Sequence, residues 1–225
     1  MSIADNWHAV RARVDAACAR AGRSPAEVTV VAVSKLQPAS AVREAAAAGA
    51  TDFGENYAQE LAGKRAEVPD VRWHFIGRLQ RNKAKLVAGQ VALVHAVDSL
   101  ELAVELGKRA AVQQPILLAV NLGGEESKGG VTAAAAPDVI RALCGVPGVR
   151  LDGLMTMPPP ADDPEASRAP FTALARLRDA AQDEIGCALP VLSMGMSGDY
   201  AVAIACGATH VRIGTAIFGA RDLSK

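Results

Sequence analysis

The chain of 225 residues has no excess of charge of either sign, because 24 basic side chains balance 24 acidic ones. A chain without a field of one sign has little to hold a polyphosphate backbone, which argues against nucleic-acid binding. It also lacks any apolar run near the roughly 20 residues that a membrane-spanning helix needs, so no membrane partner is expected. Half of its residues are nevertheless apolar and only 21% are charged, which excludes a disordered chain.

Cysteine is scarce, and the four residues include no C-x-x-C pair. This argues against a disulfide framework or a zinc site and favours free thiols in a reducing cytoplasm. The four histidines lack the spacing of metal ligands, and the chain does not begin with the segments of a secretory signal. We therefore expect a cytoplasmic protein without a metal. The residues concerned are Cys18, Cys144, Cys187 and Cys206, and His8, His74, His95 and His210.

What the sequence does have is a regular alternation of strand-like and helical segments. Apolar residues at three- and four-residue steps predict a helix from Ile3 to Gly22, and the β-branched run at 28–33 predicts a buried strand. The strands are predicted near 28–34, 50–53, 71–76, 91–97, 115–121, 149–156, 189–193 and 208–213. The helices between them are predicted near 38–49, 56–66, 80–88, 99–112, 132–145, 164–185 and 198–206.

Short strands that alternate with helices pair in parallel through right-handed crossovers. Eight such units within about 200 residues favour a closed barrel, and an open sheet is the alternative. The sequence therefore predicts an α/β fold: a single (β/α)8 TIM-type barrel over residues 1–225, with an extra N-terminal helix. In such barrels the chemistry takes place at the carboxyl ends of the strands.

Lys35 follows directly after the first predicted strand, at the expected mouth of the barrel. Partial desolvation lowers the pKa of an amine and makes it a nucleophile for a Schiff base with an aldehyde or ketone. A plain solvated strand end is the alternative. Lys128 is a second candidate amine, ranked lower because it lies in a glycine-rich loop without an apolar strand immediately behind it.

The loops after strands seven and eight carry small residues and hydroxyls, at 193–199 and 212–215. Glycines let backbone amides approach an anion, and these two loops form the recurring phosphate site of such barrels. Ordinary turn chemistry would explain either loop alone, but both together favour a phosphate. Asp199 rules out a G-x-S-x-G nucleophile elbow, and no G-x-x-x-x-G-K-[ST] phosphate loop occurs.

Two further polar residues follow strand ends. Asn56 comes after strand two and His74 lies at the end of strand three, where each suits either a ligand contact or a structural role. A basic group near the third predicted helix is interpreted as a solvated face, with an anion-binding rim as the alternative. That group contains Arg78, Arg81, Lys83 and Lys85.

Six ordered motifs then resemble a known family. They are V-A-V-S-K at 31–35, F-G-E-N-Y-x-Q-E at 53–60, W-H-F-I-G-x-L-Q-x-N-K at 73–83, S-K-x-G at 127–130, S-x-G-M-S-x-D at 193–199 and V-R-I-G-T-A-I-F-G at 211–219. Together they resemble the pyridoxal phosphate homeostasis proteins (the YggS/PROSC type), single-barrel relatives of alanine racemase. Departures from the family pattern occur at Leu36, Gln37, Arg78, Arg81 and Gly123.

The resemblance implies a binding site for pyridoxal 5'-phosphate and a role for each matching residue. Lys35 is implied to hold the cofactor as an internal aldimine, and Arg212 to face the pyridine nitrogen. The implied phosphate cup consists of Ser193, Ser197, Gly214 and Thr215, with Asn56 and His74 lining the pocket. The resemblance also implies a cytoplasmic monomer that hands the cofactor to apo forms of pyridoxal phosphate-dependent enzymes.

The function expected from this resemblance is cofactor homeostasis without efficient turnover. An arginine at the ring nitrogen keeps that nitrogen unprotonated, which makes the ring a poor electron sink. The chain is expected to have no room for the second domain that supplies the other base in related racemases. The alternatives are a pyridoxal phosphate-dependent amino-acid racemase, whose weak activity stays open, and a class I aldolase acting on a sugar phosphate.

Overall fold

The structure is a computed structural model that describes residues 1–123, 129–159 and 161–219. It begins with helix α1 (Ile3–Arg20), whose N-terminus is closed by a capping box between Ser2 and Asp5. Trp7, Val10 and Val14 of this helix are buried, as the apolar stripe in the sequence predicts. The predicted N-terminal helix is therefore confirmed.

Eight parallel strands form the sheet of this fold. They are β1 (Thr29–Val33), β2 (Asp52–Glu55), β3 (Arg72–Phe75), β4 (Leu93–Val97), β5 (Gln114–Asn121), β7 (Val149–Met155), β8 (Val191–Ser193) and β9 (His210–Ile213), with the short β6 (Val131–Thr132) paired to β5. The sheet closes into a barrel because β4 pairs with both β3 and β5, and because β9 returns to β1. The predicted barrel is confirmed, and the open sheet is excluded.

Helices follow the strands in nearly all the predicted places. They are α2 (Ala39–Ala47), α3 (Ala58–Glu67), α4 (Leu100–Arg109), α5 (Ala136–Cys144), α6 (Arg168–Ile185), α7 (Tyr200–Ala205) and α8 (Thr215–Phe218). After β3 the segment Arg81–Leu86 is a 3-10 helix, in which only Ala84 is buried. With no apolar stripe to pack against the barrel, this segment does not gain the tertiary support of an α-helix.

The interior of the barrel is divided between apolar and polar side chains. Neighbouring residues of a strand point to opposite sides, so Leu118 packs in the main core whereas Leu117 and Ala119 belong to a separate, smaller cluster. That cluster also contains Leu93, Ala96 and Met155. Buried polar side chains from β2, β3, β4, β8 and β9 also lie in the interior and are described below.

The cysteines do not follow the expectation of four free thiols. Cys144, at the end of α5, and Cys187, after α6, are joined as a disulfide, whereas Cys18 and Cys206 are free. The expectation was wrong for this pair because a separation of 43 residues hides the fact that α5 packs against α6. Within the described ranges no helix is long and apolar enough to cross a membrane, and no group of three or more His, Cys, Asp or Glu side chains is arranged to hold a metal ion.

Candidate functional site

A cavity of about 370 Å³ opens at the carboxyl ends of the barrel strands. Its volume lies near the lower end of the range for small-molecule sites, which is about 300–1,000 Å³. Apolar side chains of three strands line part of it, namely Ala96, Ala119 and Met155. Six of the eight site residues predicted from the sequence also line it: Lys35, Asn56, Ser197, Arg212, Gly214 and Thr215.

Lys35 follows β1 and lies in a tight turn over residues 34–37. The turn is closed by the Gln37 N–H, which donates to the Ser34 carbonyl over 3.0 Å. Ser34 is completely buried at the end of the strand. The sequence prediction that Lys35 stands at the mouth of the barrel is therefore matched by its position in the wall of the cavity.

Arg212 lies on β9, opposite Val31 of β1, and is 5% exposed. Its Nη1 donates to Ser193 Oγ over 2.6 Å, and its Nη2 donates to the Thr156 carbonyl over 3.1 Å. Burial lowers the pKa of Arg212 to about 10, although the nearby Asp199 carboxylate raises it. The guanidinium therefore stays charged at neutral pH and is held firmly below the ligand space.

A buried chain of hydrogen bonds runs from Arg212 through the barrel interior to Asp52. Ser193 Oγ lies 2.8 Å from His95 Nδ1, His95 Nε2 lies 3.0 Å from His74 Nδ1, and His74 Nε2 lies 2.9 Å from Asp52 Oδ1. All five side chains are at most 5% exposed. We call these residues, Asp52, His74, His95, Ser193 and Arg212, the polar chain.

The charged groups at the two ends of the polar chain fix the direction of the hydrogen bonds that they make. Burial raises the pKa of Asp52, but hydrogen bonds from His74 and Arg72 outweigh this effect and hold its pKa well below the usual range. Asp52 is therefore an acceptor, so His74 donates its Nε2–H to it, whereas the direction of the hydrogen bond between His74 Nδ1 and His95 Nε2 depends on the tautomers of the two rings. At the other end Arg212 only donates, so Ser193 Oγ accepts from its Nη1 and also shares a hydrogen bond with His95 Nδ1.

The His95 ring, in the middle of the polar chain, is neutral at pH 7. Burial lowers the pKa of His95 well below its usual value, and the neighbouring His74 lowers it further. His210, whose ring centre lies 6.0 Å from that of His95, has a pKa lowered to about 4, chiefly by burial. Such a fully satisfied network is rigid because each bond polarises the next. It fixes the position of Arg212.

The two loops predicted to hold a phosphate meet at the cavity wall, through Ser197 and Gly198 on one side and Gly214 and Thr215 on the other. A Cβ on Gly214 would approach the Val33 carbonyl to 3.2 Å, so glycine lets these strand ends lie close together. Small residues and two hydroxyl groups therefore face the cavity at one place.

Asp199 holds the first of these loops in shape. Its Oδ1 accepts from the Met196 N–H over 2.7 Å, and its Oδ2 accepts from Ser167 Oγ over 2.9 Å. The carboxylate is thus used to shape the loop, which explains its place directly after the hydroxyl and glycine residues.

His74 and Ser193 do not line the cavity. Both lie beneath it in the polar chain, so a direct contact of either residue with a ligand stays a prediction. Lys128 lies outside the described residues. Of the predicted basic group, Arg78, Arg81 and Lys83 line an open groove of about 1010 Å³ beside the cavity.

Two residues of the site were missed by the sequence reasoning. Asp98, after β4, lines the cavity and pairs with Arg78 over 3.3 Å. His95 was considered only as a metal ligand, yet it is the central member of the polar chain. The signal for Asp98 was available, because it follows a predicted strand as Lys35 and Asn56 do.

The family of the alanine racemase N-terminal domain matches residues 5–222 of the chain. A pyridoxal phosphate homeostasis protein of Pseudomonas aeruginosa is 47% identical to it, over 98% of this chain and 96% of its own. A protein of the same description from Escherichia coli strain K12 is 42% identical, over 99% and 98%. The chain belongs to the pyridoxal phosphate homeostasis protein family.

Solved structures agree with this membership of the pyridoxal phosphate homeostasis family. PipY of Synechococcus elongatus, in a structure with PLP bound, is 34% identical to this chain and superposes on it with a TM-score of 0.86. The match covers 97% of this chain and 100% of the PipY chain. Alanine racemase from Corynebacterium glutamicum has a TM-score of 0.77 at 21% identity, and only 61% of that chain is covered. The second likeness concerns the barrel fold alone.

Proposed function

We propose that this protein binds pyridoxal 5'-phosphate in the cavity at the mouth of the barrel and serves the intracellular homeostasis of that cofactor. It would hold the cofactor on Lys35 and release it to apo forms of pyridoxal phosphate-dependent enzymes, as a cytoplasmic monomer over the single domain 1–225. The observation that carries the proposal is that one small cavity brings together an amine, a buried guanidinium and two hydroxyl-bearing loops.

The residues present suit each part of the cofactor. Pyridoxal phosphate supplies an aldehyde that condenses with an amine, with loss of one water molecule. Lys35 offers that amine from the wall of the cavity, and Ser197 and Thr215 offer hydroxyl donors for a phosphate dianion. The apolar part of the lining, including Ala96 and Met155, suits the faces of an aromatic ring.

Arg212 supports a carrier better than an enzyme. Its guanidinium keeps its charge, and its position is fixed by two acceptors below it, Ser193 and the Thr156 carbonyl. A ring nitrogen facing this donor would stay unprotonated, because two positive charges at hydrogen-bonding distance repel. The cofactor would then withdraw electrons weakly from a bound amino acid, which disfavours proton abstraction.

The cavity also offers few groups for acid–base work. Racemisation needs a base on each side of the substrate carbon. Among the described lining residues, the ionisable ones besides Lys35 and Arg212 are Asp98 and Arg78, which pair with each other. Neither Tyr57 nor Tyr200 lines the cavity. A single amine and a weak electron sink favour storage over turnover, and the racemase stays the second candidate.

The first test is covalent labelling of the purified protein. Protein incubated with pyridoxal phosphate should turn yellow, and borohydride should fix the cofactor to one peptide that contains Lys35. The Lys35→Ala variant should lose the reducible adduct completely. Recovery of the label on Lys128, or an adduct that persists in Lys35→Ala, would overturn the assignment of the amine.

The second test separates the carrier from the racemase. Protein loaded with the cofactor is incubated with single-enantiomer amino acids in deuterated water, and separately with an apoenzyme that needs the cofactor. We expect activation of the apoenzyme and no α-deuteration at ordinary enzymatic rates, which are about 1 per second or faster. Deuteration or racemisation at such a rate would replace the carrier by the racemase.

A further inference from the structure

Three charged side chains lie directly behind the turn that carries Lys35. Lys64 Nζ donates to Glu55 Oε1 and to Glu60 Oε1, each over 2.7 Å. The Lys64 side chain is 7% exposed, and Glu55 is fully buried. We call Glu55, Glu60 and Lys64 the charged cluster. Nothing in the binding of the cofactor described so far makes use of it.

The turn itself has an unfavourable backbone conformation. Leu36, its third residue, has a φ of 63° and is the only non-glycine residue with a positive φ in the described part of the chain. A positive φ at the third position of a turn normally calls for glycine, because a Cβ there crowds the backbone. The Leu36 side chain does not compensate by packing, since it is 55% exposed. Other contacts must hold this conformation.

The charged cluster supplies those contacts on both sides of Lys35. Lys64 Nζ donates to the Ser34 carbonyl over 2.6 Å, and the Leu36 N–H donates to Glu60 Oε1 over 2.6 Å. The first bond fixes the peptide group that precedes the Lys35 Cα, and the second fixes the peptide group that follows it. Together they fix the direction in which the Lys35 side chain leaves the backbone.

Glu55 anchors the cluster to the strand. Its Oε1 accepts from Ser34 Oγ over 2.6 Å as well as from Lys64, whereas its Oε2 accepts no hydrogen bond from the described residues. Burial raises the pKa of Glu55, although the hydrogen bonds from Lys64 and Ser34 act against this. Buried ion pairs of this kind are weak evidence for stability, because desolvation offsets their attraction. Their position at the turn is the more specific observation.

We propose that Lys64 is a positioning residue, which with Glu55 and Glu60 holds the strained turn at 34–37 in the one conformation that presents the Lys35 amine to the cavity. This inference rests on the proposed function, since it assumes that Lys35 carries the cofactor. It assigns Lys64 a role in the rate of attachment, in which the Lys35 amine adds to the aldehyde carbon and one water leaves. Lys64 itself does not touch the cofactor.

The test begins with Lys64→Met, which removes the ammonium group but keeps the length of the side chain. Lys108→Met, at an exposed position near the end of α4, is the matched control. We expect Lys64→Met to slow covalent attachment to Lys35, trapped by borohydride at timed intervals, by about tenfold or more. The control should attach the cofactor at the wild-type rate. An unchanged rate in folded Lys64→Met would overturn the proposal.

Rescue by a second substitution separates positioning from a general loss of stability. Glycine at position 36 adopts a positive φ without strain, so Leu36→Gly should restore the attachment rate in the Lys64→Met background. Leu36→Ala removes nearly the same side chain but keeps the Cβ, so it should not restore the rate. If both double variants attach the cofactor equally slowly, Lys64 acts through stability and the proposal fails.

The melting temperature of each variant completes the design. If Lys64→Met does not fold, Glu60→Gln provides the same test, because it keeps an acceptor for the Leu36 N–H while weakening the hold on Lys64. Slow attachment in Glu60→Gln, rescued by Leu36→Gly, supports the proposal, and an unchanged rate overturns it. Failure of the proposed function has a different signature, namely a wild-type protein in which borohydride fixes no cofactor to Lys35.

Discussion

The polar chain below the cavity and the charged cluster behind its wall fix two functional side chains in opposite ways. In the polar chain Asp52 and Arg212 lie at opposite ends, separated by His74, His95 and Ser193. In the charged cluster the charges are in direct contact, with Lys64 between two carboxylates. The polar chain fixes the side chain of Arg212, whereas the charged cluster fixes the backbone on either side of Lys35. The comparison shows that two residues of one cavity can be held by different means, one through its side chain and the other through its backbone.

The two regions also respond to acid with opposite sign. The pKa of His95 is lowered, so its contribution to stability is present above its usual value of 6.5 and is lost as the pH falls. The pKa of Asp52 is also lowered, so its contribution to stability is lost as the pH falls below its usual value of 3.8. The pKa of Glu55 is raised, so its contribution is present below 4.5 and is lost as the pH rises through its value in the folded protein. Acid therefore weakens the polar chain, whereas it does not reduce the contribution of Glu55 to the cluster.

The largest effect is expected from breaking the polar chain at its centre. His95→Leu roughly keeps the volume but removes the hydrogen-bond partner that His95 provides to the Ser193 hydroxyl and to His74 Nδ1. Each buried polar group left unsatisfied costs about 1–3 kcal/mol, so the free energy of unfolding should fall by about 2–4 kcal/mol. Urea denaturation at pH 7.5 measures this loss of free energy, with His8→Leu, at an exposed position of α1, as the control. A loss of less than about 1 kcal/mol would show that the chain is not cooperative.

The next effect tests the sign of the response to acid. His210 has a pKa lowered from 6.5 to about 4 by burial and by the nearby His74. As the pH falls from 7 to 4.5, this histidine takes up a proton in the unfolded chain more readily than in the folded protein. The free energy of unfolding should therefore fall by about 2–3 kcal/mol over that range. His210→Gln cannot take up the proton, so its stability should fall by that much less over the same range. Equal slopes for the wild type and His210→Gln, with His8→Gln as the control, would contradict the assignment.

Much of the architecture could be predicted because it depends on patterns that are local in sequence. The eight strands follow from short β-branched segments between helices, and their parallel pairing follows from the alternation. Placing Lys35, Arg212 and Thr215 at the mouth then needs only the rule that functional residues lie at the carboxyl ends of the strands or directly after them. The resemblance to the family added the identity of the ligand to positions that the pattern had already selected.

The contacts that hold those residues were beyond the sequence because they depend on three-dimensional neighbours. Glu60 and Lys64 look like an ordinary surface pair one helical turn apart, and only the approach of α3 to the end of β1 makes them part of the site. His95 lies where the pairing of β4 with β5 shifts its register, so alternation along the strand does not assign its side. The Cys144–Cys187 disulfide was missed for the same reason.

The smallest effect concerns a residue that belongs to neither region. Thr215 is exposed at the start of α8 and lines the cavity, so Thr215→Val should leave the free energy of unfolding within about 0.5 kcal/mol of the wild type. It should nevertheless weaken cofactor affinity by about tenfold, because a charge-assisted donor to the phosphate is lost. Thr215→Ser keeps the hydroxyl and should bind as the wild type does, in a fluorescence or equilibrium dialysis titration.

Ser197→Ala tests the facing loop in the same way. Since neither substitution reaches the polar chain or the charged cluster, unchanged affinity in both variants would move the phosphate to another part of the cavity while leaving the comparison of the two regions intact.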